Sequence, residues 1–378
     1  MELPRPDPAI PHLADVVPSV LAAMGVGGFD PRIPLPYDVA GACVLLIDGL
    51  GAELLDTYAA DAPVLAALRG LTLQVGFPST TAAGLAAVGT GCRSGEHGMV
   101  GMTFRLPDVG VINALRWRPH PWGEDLRDGA PPEKVQPRST VFERAAATGV
   151  SVSVVSGAQF GGSGLTRAVL RGGRYVGVHA LGDLGATVRA AVADGGFCYG
   201  YHADLDLVGH LHGPGSTAWR MQLRQVDTLV ESIIEGLPSG GLLAVVADHG
   251  MVSVDEDAVV DIDASAALRD GVEAIGGEAR ARHIYTRAGA LDDVLTGWRD
   301  ILGDRAWVVT RDQAIAAGWF GERVTDEVRL RIGDVVAAAR GSAGLLRRTV
   351  EPIESSLVGQ HGSLTDAEQR VPLLIAHR

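Results

Sequence analysis

The run Cys43-Val44-Leu45-Leu46-Ile47-Asp48-Gly49 is five apolar residues that stop abruptly at a carboxylate and a glycine. Leu242 to Ala247 repeats the pattern and ends in Asp248-His249-Gly250. Val150 to Val155 ends in Ser156-Gly157, Leu71 to Gly76 leads to Phe77-Pro78-Ser79-Thr80-Thr81, and Phe197 to Tyr201 opens a polar stretch ending at His210. Unbroken apolar runs of this length suit strands buried on both faces, as in a parallel sheet. Between them lie helical stretches. Ala52 to Leu68 reads as one helix. Thr217 to Leu237 reads as another, with apolar residues at Leu223, Val226, Leu229, Val230, Ile233 and Ile234. The alternation predicts an α/β architecture with a mainly parallel sheet.

Two regions depart from it. Residues 106–138 carry Pro107, Trp117, Pro119, Pro121, Trp122, Pro131, Pro132 and Pro137 and read as a long, mostly irregular segment, a candidate lid. Residues 260–355 read as a small inserted α+β subdomain, with strands at Arg282 to Thr286, Ala306 to Thr310 and Val328 to Ala338 and a helix from Leu291 to Leu302. The expected core is then 1–259 plus 356–378.

Composition excludes several classes. Of 378 residues, 32 are basic and 45 acidic, a net charge of −13 that disfavours stable binding of nucleic acid. Lys134 is the sole lysine, and Pro-Pro-Glu-Lys-Val is neither a P-loop nor a Schiff-base context. Cys43, Cys92 and Cys198 are odd in number and lack CxxC spacing, so neither a disulfide framework nor a cysteine-rich zinc site is expected. No apolar run reaches the ~20 residues of a membrane span, and the proline-rich start has no apolar signal segment, so a cytoplasmic location is expected. Nothing in the sequence addresses oligomeric state.

The polar residues at the strand ends form the chemical pattern. Asp48, Asp206, Asp248, His210, His249 and His361 stand mostly beside glycines, and Asp206 and His210 are four apart, on one side of a helical turn. Ligands of open α/β sheets gather at the carboxyl ends of strands. Mixed Asp/His sets suit zinc or a similar divalent ion, and six such side chains suffice for two ions. Ser79-Thr80-Thr81, between a strand end and a helix start, supplies hydroxyls where backbone N–H groups favour an anion.

Asp48, Pro-Ser-Thr-Thr81, Asp206-Leu-Val-Gly-His210-Leu-His-Gly-Pro214, Asp248-His249-Gly250 and Gln-His361-Gly362, in that order, resemble the nucleotide pyrophosphatase/phosphodiesterase branch of the alkaline phosphatase superfamily. The resemblance spans residues 41 to about 375 and implies an alkaline-phosphatase-like three-layer α/β/α core with a mainly parallel sheet and a small inserted α+β subdomain. It implies that Asp206, His210 and His361 hold one divalent metal and that Asp48, Asp248 and His249 hold the other. Zinc is expected there, with manganese as the alternative. Thr81, bound to the second metal, would be the nucleophile and form a phospho-threonine; Thr80 is its rival by a one-residue slip. The implied substrate is a small phosphate diester or nucleotide pyrophosphate, with a phosphonate or phosphomonoester as the alternative and a non-catalytic metal-binding protein as the other class. His97 is read as structural. The chain departs from the family's pattern near Met102, where relatives place an asparagine that donates to the phosphoryl group. Asn113, the sole asparagine, is the candidate replacement, and Trp117 and Trp122 are candidates for stacking a base. Arg93 and Arg105 are the candidates to meet the extra charge of a monoester.

Overall fold

The computed structural model describes residues 3–378. Its strands in chain order are β1 (Gly41–Ile47), β2 (Arg69–Gln74), β3 (Thr103–Leu106), β4 (Gly110–Asn113), β5 (Arg118–Pro119), β6 (Val152–Gly157), β7 (Arg174–Val178), β8 (Phe197–His202) and β9 (Gly241–Val246). They continue with β10 (Val252–Ser253), β11 (Val259–Asp261), β12 (Val272–Glu278), β13 (Ala281–Thr286), β14 (Ala306–Thr310), β15 (Val335–Ala339), β16 (Gly344–Leu346), β17 (Gly359–Gln360) and β18 (Arg370–His377). The central sheet has seven strands in the order β2-β18-β9-β1-β8-β6-β7. β1 pairs in parallel with β8 and β9, and β6 with β7 and β8. β18 alone runs antiparallel, wedged between β2 and β9.

Every residue of β1 and of β9 is buried, which is why these segments read as continuous apolar runs. Helices Leu181–Ala193 and Thr217–Glu235 pack together on the sheet; helices Val16–Ala23, Thr81–Thr90 and Val141–Ala147 form a second group. The Thr217–Glu235 helix starts where the Ser216 hydroxyl accepts the Trp219 N–H, and it buries Trp219, Leu223, Val226, Leu229, Val230 and Ile233 along one stripe.

The expected helix from Ala52 to Leu68 is broken. It runs over Ala52–Thr57, Ala59–Asp61 and Pro63–Ala67, because Ala62 takes a non-helical conformation ahead of Pro63, which opens the last turn. The expected irregular segment 106–138 is also corrected: β3, β4 and β5 form a small antiparallel sheet, whose short strands are masked in sequence by the prolines and Asp108 between them. The expected strand from Val328 to Ala338 is a helical turn, Asp326–Arg329, followed by β15.

In the 260–355 region the antiparallel sheet β12-β13-β15-β14 shows a two-residue alternation with two destinations. Val335, Ala337 and Ala339 join Ile284, Val294, Trp298 and Leu302 in a local core under helix Leu291–Leu302. Val336 and Ala338 point the other way and join the main core. This sheet thus has a local core on one face and is joined to the main core through the other. No helix among the described residues is long and apolar enough to cross a membrane.

Candidate metal centre

The carboxyl ends of the parallel strands meet at one edge. Asp48 follows β1 directly, and its N–H extends the ladder to the His202 carbonyl at 3.0 Å. Asp248 and His249 follow β9 after Ala247, and Thr81 opens helix Thr81–Thr90 after β2. Asp206 and His210 lie one turn apart on helix Asp204–His212, which follows β8. His361 comes up from the far end of the chain beside β17. Gly49 has φ +75°, and a Cβ there would stand 3.0 Å from the Asp206 side chain, so the turn after β1 must be bare for Asp206 to approach.

These side chains converge. Donor atoms of Asp48, Asp248 and His249 all lie within 4.8 Å of one another, and so do those of Asp206, His249 and His361. Thr81 Oγ1 is 3.2 Å from His249 Nε2. His249 Nε2 is 3.3 Å from Asp48 Oδ1 and 3.6 Å from Asp248 Oδ2. His210 completes the Asp206 side: its Nε2 is 3.3 Å from Asp206 Oδ2 and 3.3 Å from His361 Nε2. The His249 and His361 rings stack with centroids 3.5 Å apart. His249 therefore borders both halves of the cluster, whereas the family pattern gives it to one.

Three features fit this cluster to divalent cations. Asp48 Oδ1, Asp206 Oδ1 and Asp248 Oδ2 are buried and have no hydrogen-bond partner. Buried charge left this way is costly unless a cation answers it. The second feature is ring orientation. His210 Nδ1 faces the Gly359 carbonyl at 2.7 Å, His361 Nδ1 the Ser79 carbonyl at 2.9 Å, and His249 Nδ1 the Gly250 carbonyl at 3.0 Å. With Nδ1–H donated to the backbone, each Nε2 keeps its lone pair and turns to the cluster, as metal-binding imidazoles do. The third is charge state. Burial, with His249 beside it, holds the His361 imidazole well below its ordinary range, in the neutral form a metal requires.

The carboxylates crowd one another. Burial and the charges of Asp248 and Asp206 push Asp48 well above the usual carboxylate range, against a 2.5 Å hydrogen bond donated by the Tyr201 hydroxyl. Asp248 is raised by burial and by Asp206. Asp206 goes the other way: burial opposes its ionisation, but His210, His361 and His249 outweigh it.

Thr80 and Thr81 are separated by direction. Thr81 faces His249, whereas Thr80 is buried at the N-cap position, makes no side-chain capping bond, and turns its side chain to Glu278. The structure does not bring Asn113 into the cluster in any recorded contact: its Oδ1 accepts the N–H groups of Leu115 and Arg116 and closes its own turn. Trp117 is 1% exposed and its indole N–H donates to the Ala130 carbonyl, so no ring face is open to a base; it anchors the loop. Trp122 is 68% exposed and remains free to stack. Arg93 pairs with Asp15 and Arg105 with Glu273, so neither is directed at the cluster. His97 is buried, takes the Met99 N–H on Nδ1 at 3.1 Å, and is depressed to about 3 by burial and by Arg331. Tyr201 and Glu278 are the neighbours that sequence reading missed. Tyr201 is the penultimate residue of β8, level with Leu46, a register invisible before the strands are paired.

A seven-stranded, mainly parallel sheet with an Asp/His cluster at its carboxyl edge and a threonine facing it defines a member of the alkaline phosphatase superfamily. The profile of the type I phosphodiesterase / nucleotide pyrophosphatase family matches residues 42–364, and the chain belongs to that family. Murine ectonucleotide pyrophosphatase / phosphodiesterase 5 (ENPP5, NPP5) superposes with a TM-score of 0.69 at 16% identity, covering 89% of this chain and 88% of that one. An inactive variant of the murine protein in complex with AMP gives 0.66 at 16% identity, over 88% and 87% of the two chains. Phosphonoacetate hydrolase from Sinorhizobium meliloti 1021, in complex with phosphonoformate, gives 0.67 at 18% identity, over 90% and 91%. No curated protein matches the sequence.

Proposed function

We propose that the chain is a two-metal hydrolase of phosphate diesters or nucleotide pyrophosphates that works through a phospho-threonine on Thr81. The observation that carries this is the Thr81 hydroxyl, 3.2 Å from His249 Nε2, facing buried carboxylates whose free oxygens have no partner in the chain. Asp206, His210 and His361 would hold one cation and Asp48, Asp248 and His249 the other, with Thr81 against the second. Bound zinc or manganese would supply Lewis-acid charge, lowering the pKa of the threonine hydroxyl and offsetting charge on both axial oxygens of the displacement.

The chain's own groups do the rest. Thr81 Oγ1, having released its proton to solvent, forms the new bond to phosphorus as the ester oxygen opposite it departs with the bonding pair and takes up a proton from solvent. Water then attacks the phospho-threonine and returns the Thr81 hydroxyl. The Thr81 and Ala82 amides at the start of helix Thr81–Thr90 would donate to the equatorial oxygens; those of Ala83 and Gly84 are already bonded to the Thr80 carbonyl. The Nδ1 contacts to Gly359, Ser79 and Gly250 hold the three imidazoles in register. Free thiols at Cys43, Cys92 and Cys198 support a reducing, cytoplasmic setting.

A phosphonate hydrolase is the second reading, favoured by the donor arrangement: Met102 has no donor side chain, and the Asn113 side chain is folded onto its own turn, where its Oδ1 accepts the Leu115 and Arg116 N–H groups. Parallel kcat/KM values for bis-p-nitrophenyl phosphate, p-nitrophenyl phosphate and phosphonoacetate, with chelated enzyme reloaded with zinc or manganese, separate the readings. The diester should lead. Phosphonoacetate in front would establish the second reading, and bound metal without turnover of any of the three would leave a binding protein.

A further inference from the structure

One buried acid near the cluster is used by nothing described so far. Glu278 ends β12 in the inserted sheet and is 6% exposed. Its Oε2 accepts the Met102 N–H at 2.9 Å, and the Thr80 side chain faces its carboxyl. Its Oε1 has no partner. On the other side stands Gly362, where φ is +132° and a Cβ would lie 2.8 Å from Glu278 Cγ and 3.1 Å from Oε1. Thr80 precedes the nucleophile and Gly362 follows His361. The carboxyl is therefore inserted between the segment that carries the attacking oxygen and a segment that carries a ligand. It also occupies the Met102 amide, the position at which a donor to the phosphoryl group was expected.

The positive charges around it are engaged elsewhere. Arg282 is within electrostatic reach but makes a two-pronged bond to Glu351, and that second acid works against ionisation of Glu278. Arg280, two residues on, pairs with Glu368. Arg93 and Arg105 are paired away from the site.

We propose that Glu278 is a specificity residue: its carboxyl borders the phosphoryl pocket and excludes doubly charged phosphoryl groups, leaving singly charged diesters as substrates. The inference rests on the diesterase reading above. A carboxylate beside the attack segment repels a dianion about twice as strongly as a monoanion, and among the described side chains no arginine is placed to compensate. Burial raises the Glu278 carboxyl to about 7, so the gate is charged above neutrality. It also explains the place of the inserted sheet, which delivers to the site one acid that the core strands do not supply.

The test uses the metal-loaded wild type, Glu278→Gln and Glu278→Asp at about pH 8, where a monoester is doubly charged. The kcat/KM ratio of bis-p-nitrophenyl phosphate to p-nitrophenyl phosphate should fall roughly tenfold in Glu278→Gln, by a gain in the monoester term. Glu278→Asp keeps the charge and should keep the preference. Inorganic phosphate, titrated by calorimetry, should bind Glu278→Gln more tightly than wild type. An unchanged ratio, or a parallel loss on both esters, overturns the gate and leaves Glu278 a packing residue. A wild type inactive on both esters overturns the diesterase reading instead; in that case unchanged phosphate affinity in Glu278→Gln overturns the gate as well.

Discussion

Two sets of buried acids sit within one molecule and are treated in opposite ways. Along the seam between the inserted sheet and the core, Glu351 is held by both prongs of Arg282 and by His120 Nε2, and Glu368 by both prongs of Arg280, the Ser363 N–H and the Thr365 hydroxyl. At the carboxyl edge of the central sheet, Asp48, Asp206 and Asp248 each keep an oxygen that the chain does not satisfy. Burial is similar in both places. The difference is whether the chain answers the charge itself or leaves it for something that binds. Paired acids fasten the scaffold; unpaired acids mark the site. Glu278 lies on the seam but follows the rule of the edge.

The comparison is broken or sharpened by four experiments, in order of expected size. Thr81→Ala should lower turnover on the order of 10⁴-fold or more while metal content stays near two per chain and the melting temperature is unchanged. Retained activity with the metals in place would hand the nucleophile to Thr80. On the seam, Arg282→Met removes the two-pronged cation from buried Glu351, leaving it His120 alone at hydrogen-bond distance, and should cost about 3–5 kcal/mol in urea unfolding, with much of the loss recovered when Glu351→Leu is added.

Next comes pH. Glu351 is held at about 2 although burial opposes its ionisation, because Arg282 and His120 favour the charged form; the ordinary value is 4.5. Its contribution is complete above 4.5 and is lost as pH falls toward 2. Glu278 at about 7 has the opposite sign: the fold prefers its protonated form, so stability is lost as pH rises from 4.5 through 7. Each amounts to roughly 3 kcal/mol. Unfolding curves across pH should lose the acid-side slope in Glu351→Gln and the neutral-side slope in Glu278→Gln. Least in size, Asp248→Asn removes one of three mutually repelling charges and should stabilise the metal-free protein by about 1 kcal/mol, while abolishing the rise in Tm expected on adding zinc to the wild type. A destabilised metal-free variant would show that Asp248 belongs with the paired acids.

Much of this site could be read from the chain because the strands that carry it are buried on both faces. A run such as Cys43 to Ile47 must end where the sheet ends, so Asp48 and Asp248 announced themselves as edge residues. The glycines flanking His249 and His361 strengthened the pattern. What stayed hidden depended on partners distant in sequence. The small sheet of β3 to β5 gains its alternation only when Thr103 lies opposite Asn113. Trp117 looked like a ligand-stacking ring until its indole N–H met the Ala130 carbonyl. Glu278 has no local mark at all. It is one of 45 acids, and only the packing of β12 on the Met102 segment separates it from the solvated ones.

β18 sets the order in which the enzyme can come into being. It is the sole antiparallel strand of the central sheet, and β2 joins that sheet only through it. During synthesis, β1, β6, β8 and β9 can associate as they emerge, but β2 and the Ser79–Thr81 segment behind it have no edge to dock on until residues 370–377 leave the ribosome. His361 also arrives late. Thr81 and the last imidazole thus enter the cluster together, and a nascent chain that stops short of β18 carries most of the Asp/His cluster without the geometry that brings it together.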